Sequence, residues 1–324
     1  MRASVIGAGS FGTAIAQVIS TNASEVLLFG RDTEVLRSIN SHHVNPKYHP
    51  FVQLNTNVRA FDLARDSQRL QESDVVIFST PSGATRQVSR SVNKYLKDTL
   101  IISTAKGVEL PSRCTMSRVI NQETGNRRIF SFSGPTLADE LIHGFFSCAT
   151  LGIDQEEHVD AVTKLLPTPN FILDFSHDVE GVEWCGILKN VYAIATGIFD
   201  STIAGNNEHY GFLSLCYKEM KRILDALSLD KDLASKFCAF GDLNLTANVD
   251  KSRNRIFGFI AGKLWVTPED IRSDVVVEGA KAAEASRITC DALGVDAPIV
   301  SFVNSCLESP ERIRENLHEL IWQS

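Results

Sequence analysis

The sequence predicts an α/β protein in two parts, a doubly wound sheet over residues 1–177 and a mainly α-helical domain over residues 178–324. Three observations carry this. Short apolar runs alternate with amphipathic stretches through the first half, as strand–helix–strand units require. Runs such as Asp74–Ser79 and Thr99–Thr104 are apolar throughout, so they suit strands covered on both faces, as in a parallel sheet. Strand-like runs then nearly vanish after residue 177.

Taken in order, Ala3–Gly7 reads as a strand, Thr13–Ser20 as a helix, Glu25–Gly30 as a second strand and Thr33–Asn40 as a second helix. In the second half Glu180–Phe199, Tyr210–Leu227, Pro268–Leu293 and Pro310–Gln323 read as helical. No Gly/Ser-rich linker, fixed-period repeat or low-complexity tract interrupts the chain.

Its 324 residues suit two domains. Apolar residues are 44% and charged residues 22%, ordinary globular usage that excludes a disordered or collagen-like chain. Lys plus Arg is 32 against 39 for Asp plus Glu, a net −7. That balance argues against a nucleic-acid partner, whose binding rests largely on neutralising phosphates, but leaves room for a local pocket for a small anion. No run approaches the ~18 apolar residues of a membrane span. Met1–Gly7 shows no signal-peptide pattern. Seven scattered cysteines without Cys-x-x-Cys spacing read as reduced thiols, which places the protein in the cytoplasm. The eight histidines show no metal-ligand spacing, so no metal is expected. A homodimer through the helical domain is compatible with these features.

Gly7-Ala8-Gly9-Ser10-Phe11-Gly12 matches G-x-G-x-x-G between a predicted strand and helix, the setting in which it signals a Rossmann-type dinucleotide site. Gly7 permits the tight turn, Gly9 lets a pyrophosphate approach the backbone, and Gly12 lets the helix pack on the strand. The helix N-terminus adds free N–H groups and partial positive charge. After the second strand come Arg31 and Asp32. Arg31 could pair with the 2′-phosphate of NADP, Asp32 with the ribose hydroxyl of NAD, and the reading leans to NADP.

Seven segments together resemble the NAD(P)-dependent glycerol-3-phosphate dehydrogenase family in its bacterial soluble form. They are Gly7–Thr13, Ala105–Leu110, Ser133–Glu140, Gly186–Gly197, Gly241–Thr246, Ser252–Gly258 and Val276–Gly279, in the family's order. The resemblance implies interconversion of dihydroxyacetone phosphate and sn-glycerol 3-phosphate by hydride transfer with NADP or NAD, feeding phospholipid synthesis. It implies that Lys189 is the catalytic acid/base. Lys106, Gly134, Thr136, Asp242, Ser252, Arg253 and Asn254 would surround a small phosphorylated substrate. Ser10, Phe11, Arg31, Lys106, Ala138, Arg253, Val276 and Glu278 would touch the cofactor, beside Gly7, Gly9 and Gly12.

Elementary chemistry agrees with several of these roles. Hydride transfer to a ketone leaves charge on oxygen that a cation or proton donor must meet. On a helix Lys189 has Gly186, Ala193 and Gly197 as neighbours, a small-residue face that a ligand could approach, apart from the apolar stripe Leu188, Val191, Ala195 and Ile198. Burial and a second cation such as Lys106 would both lower its pKa from ~10.4. Ser252-Arg253-Asn254 offers a guanidinium, a hydroxyl and an amide to a phosphate monoester, though the same residues would suit a polar turn. Asp242 could bind a substrate hydroxyl or orient Lys189. Thr136 could open a helix.

The chain departs from the family pattern in places. His209, preceded by Glu208, stands at a usually basic position, Leu215-Cys216-Tyr217 replaces Thr-Arg-Gly, and Ala239-Phe240-Gly241 replaces Gly-Leu-Gly. Those changes leave open a related dehydrogenase of another phosphorylated or carboxylated ketone, or a catalytically silent cofactor-binding protein.

Overall fold

Eight of the ten strands of the first half assemble into one sheet with a buried centre, and the other two, short ones, pair with each other. The computed structural model describes residues 1–110, 112–153, 159–203, 205–265 and 277–322. Its strands are β1 (Arg2–Ile6), β2 (Glu25–Gly30), β3 (Val58–Asp62), β4 (Val75–Phe78), β5 (Leu100–Ser103), β6 (Val108–Glu109), β7 (Cys114–Thr115), β8 (Ile129–Ser133), β9 (Ser147–Gly152) and β10 (Phe171–Ser176). The chain divides into two compact units. Met1–Ala105 with Thr115–Glu180 forms the first, and Lys106–Cys114 with Gly181–Ser324 the second. The short stretch at Lys106 therefore groups with the helical unit, which a single cut after residue 177 does not anticipate.

The sheet of the first unit runs β10-β9-β8-β5-β4-β1-β2-β3. All neighbours are parallel except β8 and β9, where Phe132 faces Leu151 in an antiparallel register. The doubly wound sheet is parallel apart from that one pair. Between β8 and β9 the chain forms one short helix, Ala138–Ile142, and folds back. On the other side the order β3-β2-β1-β4-β5-β8 puts a topological switch point between β1 and β4, where ligands of such sheets bind.

In the second unit no strand follows Ser176 among the described residues, and helices build the core. Val179–Thr202 is buried around its whole circumference from Gly181 to Phe199, the mark of a central helix. The expected small-residue face for a ligand is corrected at Gly197. A Cβ there would stand 2.2 Å from Arg255 O, and one on Gly258 would stand 2.1 Å from Ile194 O. These glycines let the helix Arg253–Gly262 cross Val179–Thr202 backbone against backbone. The predicted helix Pro268–Leu293 is present as Val277–Leu293, and its upstream part lies outside the described residues.

One buried acid serves architecture. The Glu219 carboxylate accepts the backbone N–H groups of Ile299 (2.7 Å) and Val300 (3.0 Å), at the start of the helix Pro298–Glu308. Burial pushes it up to about 7, against the pull of those two donors. No helix among the described residues is long and apolar enough to cross a membrane.

Candidate active site

β1 ends at Ile6, and Gly7 turns the chain with φ +122°. A Cβ on Gly7 would lie 2.4 Å from Ser79 O, and one on Gly12 would lie 1.8 Å from Gly7 O. The protein's own packing demands both glycines. Gly9 differs, because nothing lies within 4 Å of its Cβ position. Gly9 is also the N-cap of the helix Ser10–Ile19 and supplies no side-chain acceptor, so the first-turn amides remain for an anion. Space and donors thus coincide where a pyrophosphate would sit.

Beside this loop opens a cavity of about 670 Å³, within the size range of ligand sites. Its wall includes Gly7, Gly9, Arg31, Asp32, Lys47 and Tyr48. Ser10, Phe11, Gly12 and Ala138 are not in that wall. Ser10 Oγ lies 3.3 Å from His49 Nε2, Phe11 leans on Phe132 with ring centroids 6.0 Å apart, and Ala138 opens its own short helix.

The acidic residue after β2 is already occupied. Asp32 Oδ1 caps the helix Thr33–His42 by accepting from Glu34 N (3.2 Å) and Val35 N (3.3 Å), while Oδ2 faces Lys47 Nζ at 3.4 Å. The Val35 amide, with Lys47, holds this carboxyl below its ordinary range. Asp32 thus caps its own helix and also borders the cavity. Arg31 is exposed.

In the second unit three expected residues meet directly. Lys189 Nζ donates to Asp242 Oδ1 at 2.8 Å, and Lys106 Nζ donates to Asp242 Oδ2 at 2.6 Å. Lys189 comes from the middle of the buried helix, and Asp242 opens the helix Asp242–Asn248 after a π-helical turn, Phe237–Gly241. Burial pulls the Lys189 ammonium down to about 8; Asp242 opposes that shift and Lys106 adds to it. Burial alone would raise Asp242, but the two ammonium groups outweigh it and hold the carboxyl below its usual range. A buried carboxylate shared by two lysines is a constellation poised for proton transfer near neutral pH.

Two members of this group were not anticipated. Thr246 Oγ accepts from Lys189 Nζ at 2.9 Å and donates to Asp242 O at 2.6 Å, so its hydroxyl is fixed in direction. Asn190 Nδ2 donates to Lys106 O at 3.3 Å. A signal existed for each: Thr246 follows Asp242 by four residues on one helix, and Asn190 adjoins Lys189.

Ser252, Arg253 and Asn254 stand at the head of the helix Arg253–Gly262. Ser252 is its N-cap, with Oγ accepting from Arg255 N at 3.3 Å, so only its O–H remains to donate. Arg253 is exposed in the first turn. Asn254 lies over Gly279, where a Cβ would meet Asn254 Oδ1 at 2.4 Å and Ile194 Cδ1 at 2.8 Å. Ile194 follows Lys189 by five residues, about 7.5 Å of helix rise. Glu278 is half-buried in the first turn of Val277–Leu293, and Val276 lies outside the described residues. In the first unit Gly134 packs against the next strand, since a Cβ there would lie 2.5 Å from Ala149 Cα. Thr136 does not cap a helix. Its hydroxyl donates to Gly134 O at 3.2 Å, and Leu137 holds the cap position without a side-chain bond.

The comparisons with known proteins agree with one another. The profile described as NAD-dependent glycerol-3-phosphate dehydrogenase N-terminus matches residues 2–159, and that of the C-terminus matches residues 178–318. A glycerol-3-phosphate dehydrogenase [NAD(P)+] of Methanothermobacter thermautotrophicus is 44% identical over 98% of this chain and 97% of its own length. One from Teredinibacter turnerae is 32% identical over 97% and 93%. Among solved structures, glycerol-3-phosphate dehydrogenase from Coxiella burnetii shares the fold with a TM-score of 0.89 at 23% identity, covering 99% of this chain and 98% of that one.

Proposed function

The chain belongs to the NAD-dependent glycerol-3-phosphate dehydrogenase family, and from that premise we propose how its residues divide the work. It is an NAD(P)-dependent oxidoreductase that interconverts dihydroxyacetone phosphate and sn-glycerol 3-phosphate. The observation that carries the reading is the buried Lys189–Asp242–Lys106 arrangement.

Gly9 and the first turn of Ser10–Ile19 hold the pyrophosphate of the nucleotide, and Arg31 with Lys47 takes a 2′-phosphate. When bound, the reduced nicotinamide supplies the hydride. Lys189 spends two N–H donors on Asp242 and Thr246, and the third meets the ketone oxygen. As hydride reaches the carbon, that oxygen takes the proton from the Lys189 ammonium, leaving a neutral amine that solvent reprotonates. Lys106 adds positive charge where the oxygen becomes negative. Arg253 supplies charge to the phosphate, Asn254 and Ser252 supply hydrogen-bond donors, and the positive end of their helix supports them. Gly134, Thr136, Ala138, Val276 and Glu278 keep the substrate and cofactor roles that the family resemblance implies. The product serves as a glycerophospholipid backbone.

The direct test follows NADPH and NADH oxidation on adding dihydroxyacetone phosphate. Rapid, ketone-dependent oxidation is expected, with kcat/KM favouring NADPH because the cations Arg31 and Lys47 line the cavity beside the loop. Arg31→Ala combined with Lys47→Ala should cut kcat/KM for NADPH at least ~10-fold, the effect of about 1.4 kcal/mol, and leave NADH little changed. Equal losses for both nucleotides would sink the assignment of the 2′-phosphate to these cations.

Seven cysteines, none joined in a disulfide among the described residues and five of them buried, support a cytoplasmic setting. Exposed Tyr210 and Leu215 on the helix Asn206–Ala226 support a homodimer. Light scattering should give twice the 35.7 kDa chain mass, and a single-chain mass would rule the dimer out.

A further inference from the structure

The departures from the family pattern at His209, Tyr217 and Phe240 meet on one element. Along Asp242–Asn248, Asp242 and Thr246 are four residues apart and share the face turned to Lys189. Asn244 and Asn248 are also four apart, offset by two residues and therefore by about 200°. They lie on the opposite face.

That opposite face is gripped by Asn206–Ala226. Tyr217 Oη donates to Phe240 O at 2.6 Å and accepts from Asn244 Nδ2 at 2.8 Å. Asn244 Nδ2 also reaches Phe240 O at 2.8 Å. The Tyr217 and Phe240 rings stack with centroids 5.4 Å apart. Further along, Asn248 Nδ2 donates to Asn244 O at 2.8 Å, which turns its Oδ1 to accept from His209 Nε2 at 3.1 Å. His209 Nδ1 in turn lies 2.7 Å from Asp200 Oδ1, and Asp200 Oδ2 takes Arg255 at 3.2 Å. Phe240 lies within the π-helical turn that leads into Asp242, the kind of local irregularity that recurs at functional sites.

We infer that Tyr217, with Asn244 and His209 in support, is a positioning residue that clamps the π-helical turn and the back of Asp242–Asn248, so that Asp242 and Thr246 stay registered on Lys189. The departing residues thus compensate one another. The Tyr217 hydroxyl ties to the backbone carbonyl of Phe240, the two rings stack, and His209 keeps a polar tie. Burial pushes the Tyr217 hydroxyl well above its ordinary value, so it remains a donor throughout the working pH range. The inference rests on Lys189 being the proton donor of the proposed reaction.

Tyr217→Phe keeps the stacked ring and removes only the hydroxyl. The Lys189 ammonium is titrated by NMR in lysine-labelled protein without substrate, alongside the pH profile of kcat and a thermal melt. In Tyr217→Phe the Lys189 midpoint should fall by about 0.5 pH unit, roughly threefold in the protonation equilibrium, because Asp242 is held less firmly against it. The alkaline limb of kcat should move with it, and KM for NADPH should not. Asn244→Ala should do the same, and the double variant should go little further than either, since one grip is lost once. Unchanged Lys189 midpoints in Tyr217→Phe and Asn244→Ala would overturn the inference and reduce the contacts to packing, whatever the melt shows. Should Tyr217→Phe not fold, Asn244→Ala decides alone. The NMR titration needs no turnover, so a parent protein inactive on dihydroxyacetone phosphate would count against the reaction and leave the clamp to be judged separately.

Discussion

Turnover of dihydroxyacetone phosphate should fall at least ~10²-fold in Lys189→Ala while the nucleotide still binds, the scale of a lost acid–base group. The two effects separate because the nucleotide cavity is built from the first unit and Lys189 from the second. Lys189 has a second signature, in pH. Burial brings its ammonium down to about 8. Ketone reduction needs the charged form, so the rate should be level below that pH and fall about tenfold per unit above it. Alcohol oxidation needs the neutral amine, so its rate should climb up to the same pH and then level. Measuring kcat in both directions across this range checks the sign. A wild-type profile flat through pH 8, or an alanine variant that keeps its turnover, would remove Lys189 from the chemistry. A protein that binds nucleotide yet turns over no ketone would be the silent binder instead.

Asp242→Asn should hurt twice. Its carboxylate is 2% exposed and lies between two ammonium groups, so the neutral amide leaves two cations facing each other in a dry site. Breaking a buried pair by removing one partner costs about 3–5 kcal/mol of stability. The urea midpoint should drop accordingly. Asp242 is also the group that opposes the lowering of Lys189, so its removal lets the Lys189 ammonium titrate at lower pH. At neutral pH less of the acid form remains, and kcat for reduction should fall at least ~10-fold, with the alkaline limb displaced downward. An unmoved limb in a folded Asp242→Asn protein would show that the carboxylate does not set the charge state of Lys189. Lys106→Met is the companion experiment: it removes a cation, so its limb should move the other way.

Much of the site was legible residue by residue. The glycine loop could be read because its physics is local: a strand end, a turn that needs positive φ at Gly7, and a helix start within six residues. Lys189, Lys106, Asp242 and Ser252–Asn254 were marked through short motifs. Their partnership was not. Lys106 and Asp242 are 136 residues apart in the chain, and Lys189 and Asp242 are 53 apart. No spacing rule connects residues at such distances.

Where the reading missed, long-range contact had overruled a local pattern. Gly197 looked like room for a ligand beside Lys189 and proved to be room for the backbone of Arg255. Thr136 looked like a cap and bonds to Gly134 O instead.

By itself the sequence determined the alternation of strands and helices, the glycine loop and the residue types of the Lys106–Lys189–Asp242 group, since each depends on a few neighbouring positions and their side-chain chemistry. Tertiary structure alone decided which charges meet. The Lys189 pKa, the orientation of Thr246 and the two-faced hold on Asp242–Asn248 all come from burial and from contacts between distant segments. Coulombic and desolvation energies depend on separation in space, and the chain sets that separation only once it has folded.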